Sequence, residues 1–238
     1  MTRRGLLGLL AVVASLWGCG LSRPSEELRY RLSVEVDTPQ GLKIGSSVIE
    51  VRGVKNQDWL TPEARGHRFS FRGEAVAVDL GGGRTLFALL KSESGLSDAG
   101  EYPWFAFGKR LAGTRDELQK MRMMRGWKGE TVAMTGTEEL RNNGIHQVPA
   151  RPLLVRFRDI RDPKSVERVD PANLAVGFGA GVLLKRITVE VTDDPVTTGI
   201  EKRLPTYDAK GFFNWDGRSN PNDDGILGIW DFVRGASK

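Results

Sequence analysis

The residue types that most often carry catalysis are sparse in this chain and poorly spaced for it. Its only histidines are His67 and His146, each isolated in a polar context. A zinc centre needs three or four His, Cys or carboxylate ligands, usually closely spaced, and no such grouping occurs. Neither a G-x-S-x-G elbow nor an S-x-x-K tetrad is present, so two common serine-hydrolase signatures are missing. Gly81-Gly82-Gly83 is not followed by Gly-Lys-Ser/Thr or by a helical pattern. It therefore reads as a hairpin turn and not as a phosphate loop. The acidic pairs Glu138-Glu139, Asp193-Asp194 and Asp223-Asp224 are adjacent in sequence. Neighbours in an extended chain point to opposite faces, so none of these pairs makes a two-carboxylate site by itself.

One stretch has the spacing of a cation loop. NPNDDGILGIWD, residues 220 to 231, places Asn220, Asn222, Asp224 and Asp231 at positions 1, 3, 5 and 12, with Gly225 at position 6. This resembles calcium loops of EF-hand and dockerin type, in which oxygen side chains converge because glycine permits a sharp turn. Calcium is the ion that such a resemblance implies. Asn at position 1 and Pro221 beside it depart from that pattern, and an Asx-rich turn capping its own backbone accounts for the same residues.

Cys19 is the only cysteine, and it follows a short greasy run. Arg3 and Arg4 precede the apolar stretch from Gly5 to Trp17, which is too short to span about 30 Å of hydrocarbon comfortably. LWGC at 16 to 19 resembles the lipobox of bacterial lipoproteins. The resemblance implies a signal peptide over 1–18, lipid such as palmitate on Cys19, and attachment to the membrane by several acyl chains. Gly20 follows in place of the aspartate that favours inner-membrane retention, so the implied location is the outer membrane, facing the periplasm. SVERVDP (165–171) and ITVEVTDDPVTTGIEKRLP (187–205) resemble a family of uncharacterised proteobacterial lipoproteins and secreted proteins. That family brings no assigned activity with it.

Composition narrows the alternatives. Without residues 1–18 the chain carries 33 basic against 30 acidic residues, too even a balance for nucleic-acid binding. With no cysteine besides Cys19, packing alone must stabilise it in an oxidising compartment. Lys109 to Lys128 holds seven Lys or Arg against two acids. That suits anionic headgroups or polysaccharide, and equally a helix whose cations complement its own dipole.

The elements that must position any site are mainly strands. RYRLSVEVD (29–37) alternates apolar and polar, and SSVIEVRGV returns after a turn over TPQGLKIG. FRGEAVAVDL and RTLFALLK flank the glycines as a second hairpin. RPLLVRFRDI and KRITVEVT supply later strands. A helix is predicted over 115–125, with Thr114 and Glu117 as a capping box, Gly126 as its stop, and Leu118, Met121 and Met124 facing inward. A second, short helix over 171–177 begins with Asp170 as N-cap and Pro171 at its first position. The fold class expected is α+β, dominated by antiparallel sheet. The organisation expected is a signal peptide (1–18), a lipidated cysteine and polar tether (19–28), and a β-rich body (29–204). A C-terminal segment rich in aromatic and Asx residues (205–238) lies against that body. The function expected is a non-catalytic binding or structural role, with an envelope protein or polysaccharide as the partner. An envelope hydrolase with dispersed carboxylates and a toxin-immunity lipoprotein are the alternatives.

Overall fold

The computed structural model describes residues 27–54, 68–95, 97–108, 115–130, 135–140, 144–206, 212–213 and 227–235. In chain order the strands and helices begin with β1 (Glu27–Thr38), β2 (Gly41–Val54), β3 (Arg68–Glu74), β4 (Val76–Asp79) and β5 (Thr85–Ser92). Then come α1 (Tyr102–Ala106), α2 (Arg115–Arg122), β6 (Lys128–Glu130), β7 (Thr135–Leu140) and β8 (Gly144–Pro149). The chain continues through β9 (Pro152–Phe157), β10 (Val166–Arg168), α3 (Leu174–Phe178) and β11 (Leu183–Val191). Last are β12 (Phe212–Phe213), β13 (Leu227–Gly228), α4 (Ile229–Phe232) and β14 (Val233–Arg234). The protein is β-rich, its pairings are antiparallel, and its helices are few and short. No helix among the described residues is long and apolar enough to cross a membrane.

Two sheets carry the core. The larger runs β14-β3-β2-β1-β11-β6, and the smaller runs β10-β9-β5-β4. The alternation in β1 works as period 2 requires. Leu28, Tyr30, Leu32, Val34 and Val36 are buried, while the residues between them lie half-buried on the other face. They meet Val76, Val78, Leu86, Ala88 and Leu90 of the smaller sheet. Phe87, Leu89, Val155 and Phe157, on that sheet's far face, pack against Ile200, Leu227 and Phe232. The smaller sheet is therefore covered on both faces, which is why LFALL is apolar without alternation. Phe87 sits edge-on to Phe157 and Phe232, with centroids 5.8 and 5.7 Å away.

Local differences from the expected elements have physical reasons. The first hairpin turns tightly at Pro39-Gln40. Leu42, Lys43 and Ile44 belong to β2, not to a long loop, although Leu42 and Ile44 are exposed. FRGE does not continue into AVAVDL. The chain changes sheets between Glu74 and Val76, where Gly73 has φ +149 and a Cβ would lie 2.9 Å from Ile49 Cγ1. The glycine hairpin forms, with φ of +84, +63 and +75 at Gly81, Gly82 and Gly83.

The predicted helix over 115–125 ends at Arg122. Its last turn unwinds, so Met124 is exposed and only Leu118 and Met121 reach the core. Thr114 lies outside the described residues. The predicted helix over 171–177 starts instead at Leu174, with Asn173 as N-cap. Asp170 folds into an Asx turn, its carboxylate accepting the Ala172 N–H at 2.8 Å, so the chain enters the helix one turn later. EYPWFAFG, read from sequence only as an aromatic cluster, forms α1, which buries Tyr102, Trp104 and Phe105.

Candidate functional site

The outer face of the larger sheet is polar, and one of its carboxylates is fully buried. The register aligns Arg29, Glu50 and Arg72 across β1, β2 and β3. Glu50 is 0% exposed. Arg72 donates to both its oxygens, from Nε at 2.8 Å and Nη2 at 2.9 Å. Arg29 donates from Nε at 2.9 Å, and Arg52, two residues along β2, donates from Nε at 2.8 Å. Burial pushes the Glu50 carboxyl upward. The hydrogen bonds from Arg72 and Arg29 and the Arg52 charge outweigh that and hold it at about 2. Glu27 takes the outer ends of Arg29 and Arg52, at 3.4 and 3.3 Å.

A crevice opens beside this network because β3 leaves β2 there. Beyond the Glu50–Arg72 pair, the freed edge of β2 is taken by Thr197. Val48 N–H donates to Thr197 Oγ1 at 2.8 Å, and Thr197 N–H donates to the Val48 carbonyl at 3.1 Å. The resulting cavity of about 540 Å³ is lined by Arg29, Arg72, Glu74, Thr198, Glu201 and Arg234, among others. Glu74 is buried, and its Oε2 accepts the Ile200 N–H at 2.8 Å. Burial raises its carboxyl above the usual range. Arg234 stands over the Phe71 ring, 5.6 Å from the centroid, and makes no ion pair among the described residues. Guanidinium groups held from behind by a buried carboxylate have little freedom left to lose on meeting an anion.

A second group of acids lies in the turn entering α1. Asp98 Oδ1 accepts the Gly100 N–H at 2.9 Å. Burial, then the neighbouring Asp98 charge, pushes the Glu101 carboxyl up to about 7. Asp98 is raised as well, chiefly by burial. Beneath this turn the Tyr30 hydroxyl donates to the Ala99 carbonyl at 2.6 Å.

The residues singled out from sequence fall as follows. Cys19, His67, Asn220, Asn222 and Asp224 lie outside the described residues, as does the pair Asp223-Asp224. Asp231 is buried, and its carboxylate accepts the Gly228 N–H at 2.8 Å across the start of α4. Glu138 and His146 are register partners in the β7–β8 hairpin. Asp193 and Asp194 are exposed, and each pairs with a different arginine, Arg125 and Arg31. Among the described residues no group of three or more His, Cys, Asp or Glu is arranged to hold a metal ion.

The sequence reading passed over Arg29, Glu50, Arg72 and Arg234. They come from four strands, and each looks like an ordinary polar position of its own strand, so no local signal joins them. No protein-family model, no curated protein and no solved structure matches this chain.

Proposed function

We propose that this is a lipid-anchored envelope protein, held through Cys19 on the outer membrane and facing the periplasm, which binds its ligand in the arginine-lined crevice. The observation that carries the binding role is the Glu50 network, which spends a buried carboxylate on aiming arginines beside an open cavity. The anchoring rests on LWGC after a charged, short apolar segment. Only residues 20–26 separate Cys19 from β1. Even fully extended, that tether holds Glu27 within roughly 29 Å of the lipidated residue. The crevice lies at the same end of β1, two residues further on at Arg29. Cys19→Ser tests the anchor. The variant is expected to lose palmitate labelling and to leave the membrane fraction, and one that still pellets with membranes and is processed normally overturns it.

A hydrolase is the second reading, favoured by Glu101. A carboxyl held at about 7 is matched to proton donation near neutral pH, and Asp98 lies in the same turn. Glu101→Gln and Asp98→Asn would both abolish hydrolysis of envelope glycans if this reading holds. Unchanged turnover in either variant removes it.

A further inference from the structure

The cations of the crevice are not all spent on its carboxylates. Arg72 uses Nε and one Nη2 hydrogen on Glu50, and Arg29 uses Nε on Glu50 and Nη2 on Glu27. The Nη1 group of each has no part in these bonds. Arg234 adds a guanidinium that stands over the face of Phe71 and makes no ion pair among the described residues, although its charge lowers the nearby Asp98 and Asp231 carboxyls. Thr198 contributes an exposed hydroxyl-bearing side chain on the segment opposite. Guanidinium forks match the several oxygens of a phosphate better than a point charge does.

Two further features define the ligand. Glu74 and Glu201 also line the cavity. They repel a second anionic group, so the crevice suits one phosphate and not a polyanion. A cavity of about 540 Å³ falls within the usual range of small-molecule sites, far larger than one phosphate ion. The remaining room accommodates whatever the phosphate is esterified to.

Resting on the reading of this crevice as the binding site, we propose that it takes a single phosphate ester, with Arg29, Arg72 and Arg234 as its phosphate-contacting residues. A soluble phosphate ester and a phospholipid headgroup share this chemistry, and the tether holds the crevice within reach of either.

The test uses the mature, lipidated protein in detergent for titration, and the full Cys19→Ser chain, which carries no acyl anchor, for detergent-free flotation. Isothermal titration with glycerol 3-phosphate at low salt, and flotation with phosphatidylglycerol vesicles against digalactosyldiacylglycerol vesicles, which lack phosphate, separate the two sources. Binding in either arm is expected to weaken about tenfold in Arg234→Gln, with only a small fall in melting temperature from the lost contact with Phe71. Thr198→Glu, at an exposed position, is expected to weaken it similarly. Heat from glycerol 3-phosphate alone identifies a soluble ester, and flotation alone a headgroup; both support the proposal. No binding in either arm overturns it, as does equal binding by both variants or tighter binding of succinate than of glycerol 3-phosphate. Cys19→Ser protein that remains on membranes overturns the anchor and leaves the phosphate titration standing. Palmitate-labelled protein that binds no phosphate in either form overturns this inference alone.

Discussion

Glu50 on β2 and Arg72 on β3 stand directly opposite one another and share two hydrogen bonds, of 2.8 and 2.9 Å, at the last pair before the two strands separate. The ion pair thus closes the shared part of the sheet and aims one wall of the crevice. A fully buried carboxylate is tolerated there because three arginines surround it.

Removing that carboxylate leaves three guanidinium groups crowded at one spot, with only Glu27 left to pair with two of them. Glu50→Ala is expected to lower stability by about 1.5–3 kcal/mol in urea unfolding, because the arginines left behind are partly exposed to water. The pH dependence has a definite sign. The folded carboxyl is held at about 2, below its unfolded value, so its contribution is fully present above roughly pH 4.5. It is lost as pH falls from there toward 2. The wild-type unfolding midpoint should drop across that window, and the variant's should drop less.

Glu101 runs the other way. Its carboxyl is raised to about 7, so the ionised form is disfavoured in the folded state. Stability is greatest below roughly pH 4.3 and declines as pH rises through 7. Glu101→Gln keeps an oxygen acceptor and removes the ionisation. Its melting temperature should match wild type near pH 4 and exceed it at pH 8. A lower value at pH 8 would show that the charged form is stabilising instead.

The two sheets come into close contact at Gly45. A Cβ there would lie 2.5 Å from the Ala77 carbonyl oxygen and 3.0 Å from Val78 Cγ2. Because one of those neighbours is backbone, the sheets must move apart to admit it. Gly45→Ala is expected to cost about 1–3 kcal/mol. Exposed Ser46→Ala, one residue along, should stay within about 0.5 kcal/mol.

Val34 and Ser33 test the register. Val34 is fully buried opposite Ile187, and Ser33 lies on the outer face opposite Thr188. Val34→Asp puts an unpaired charge into the core and should cost several kcal/mol, on the order of 3–5. Ser33→Asp should cost less than about 1 kcal/mol. Equal damage from the two would contradict the pairing of β1 with β11.

Much of the sheet structure was legible along the chain. Alternation in 29–37 and 186–192 predicts which side chains face inward, because a strand turns its residues over at every step. Gly81 to Gly83 announces its hairpin because all three residues adopt positive φ. Helix ends were less legible. Asp170 and Asn173 are both good caps, and the choice between them depends on where Leu174 and Phe178 find the core.

By itself the sequence determined the antiparallel β character and the inward faces of the main strands. Both depend on residues within a dozen positions of one another. Only the tertiary structure decided that FRGE and AVAVDL belong to different sheets, and that Leu227 and Phe232 cover the far side of the smaller one. It also decided that Arg29, Glu50, Arg72 and Arg234 meet. The physical reason is the same in each case. Strand alternation records which face a residue takes but not which strand lies beside it, and the crevice is made of neighbours from four strands.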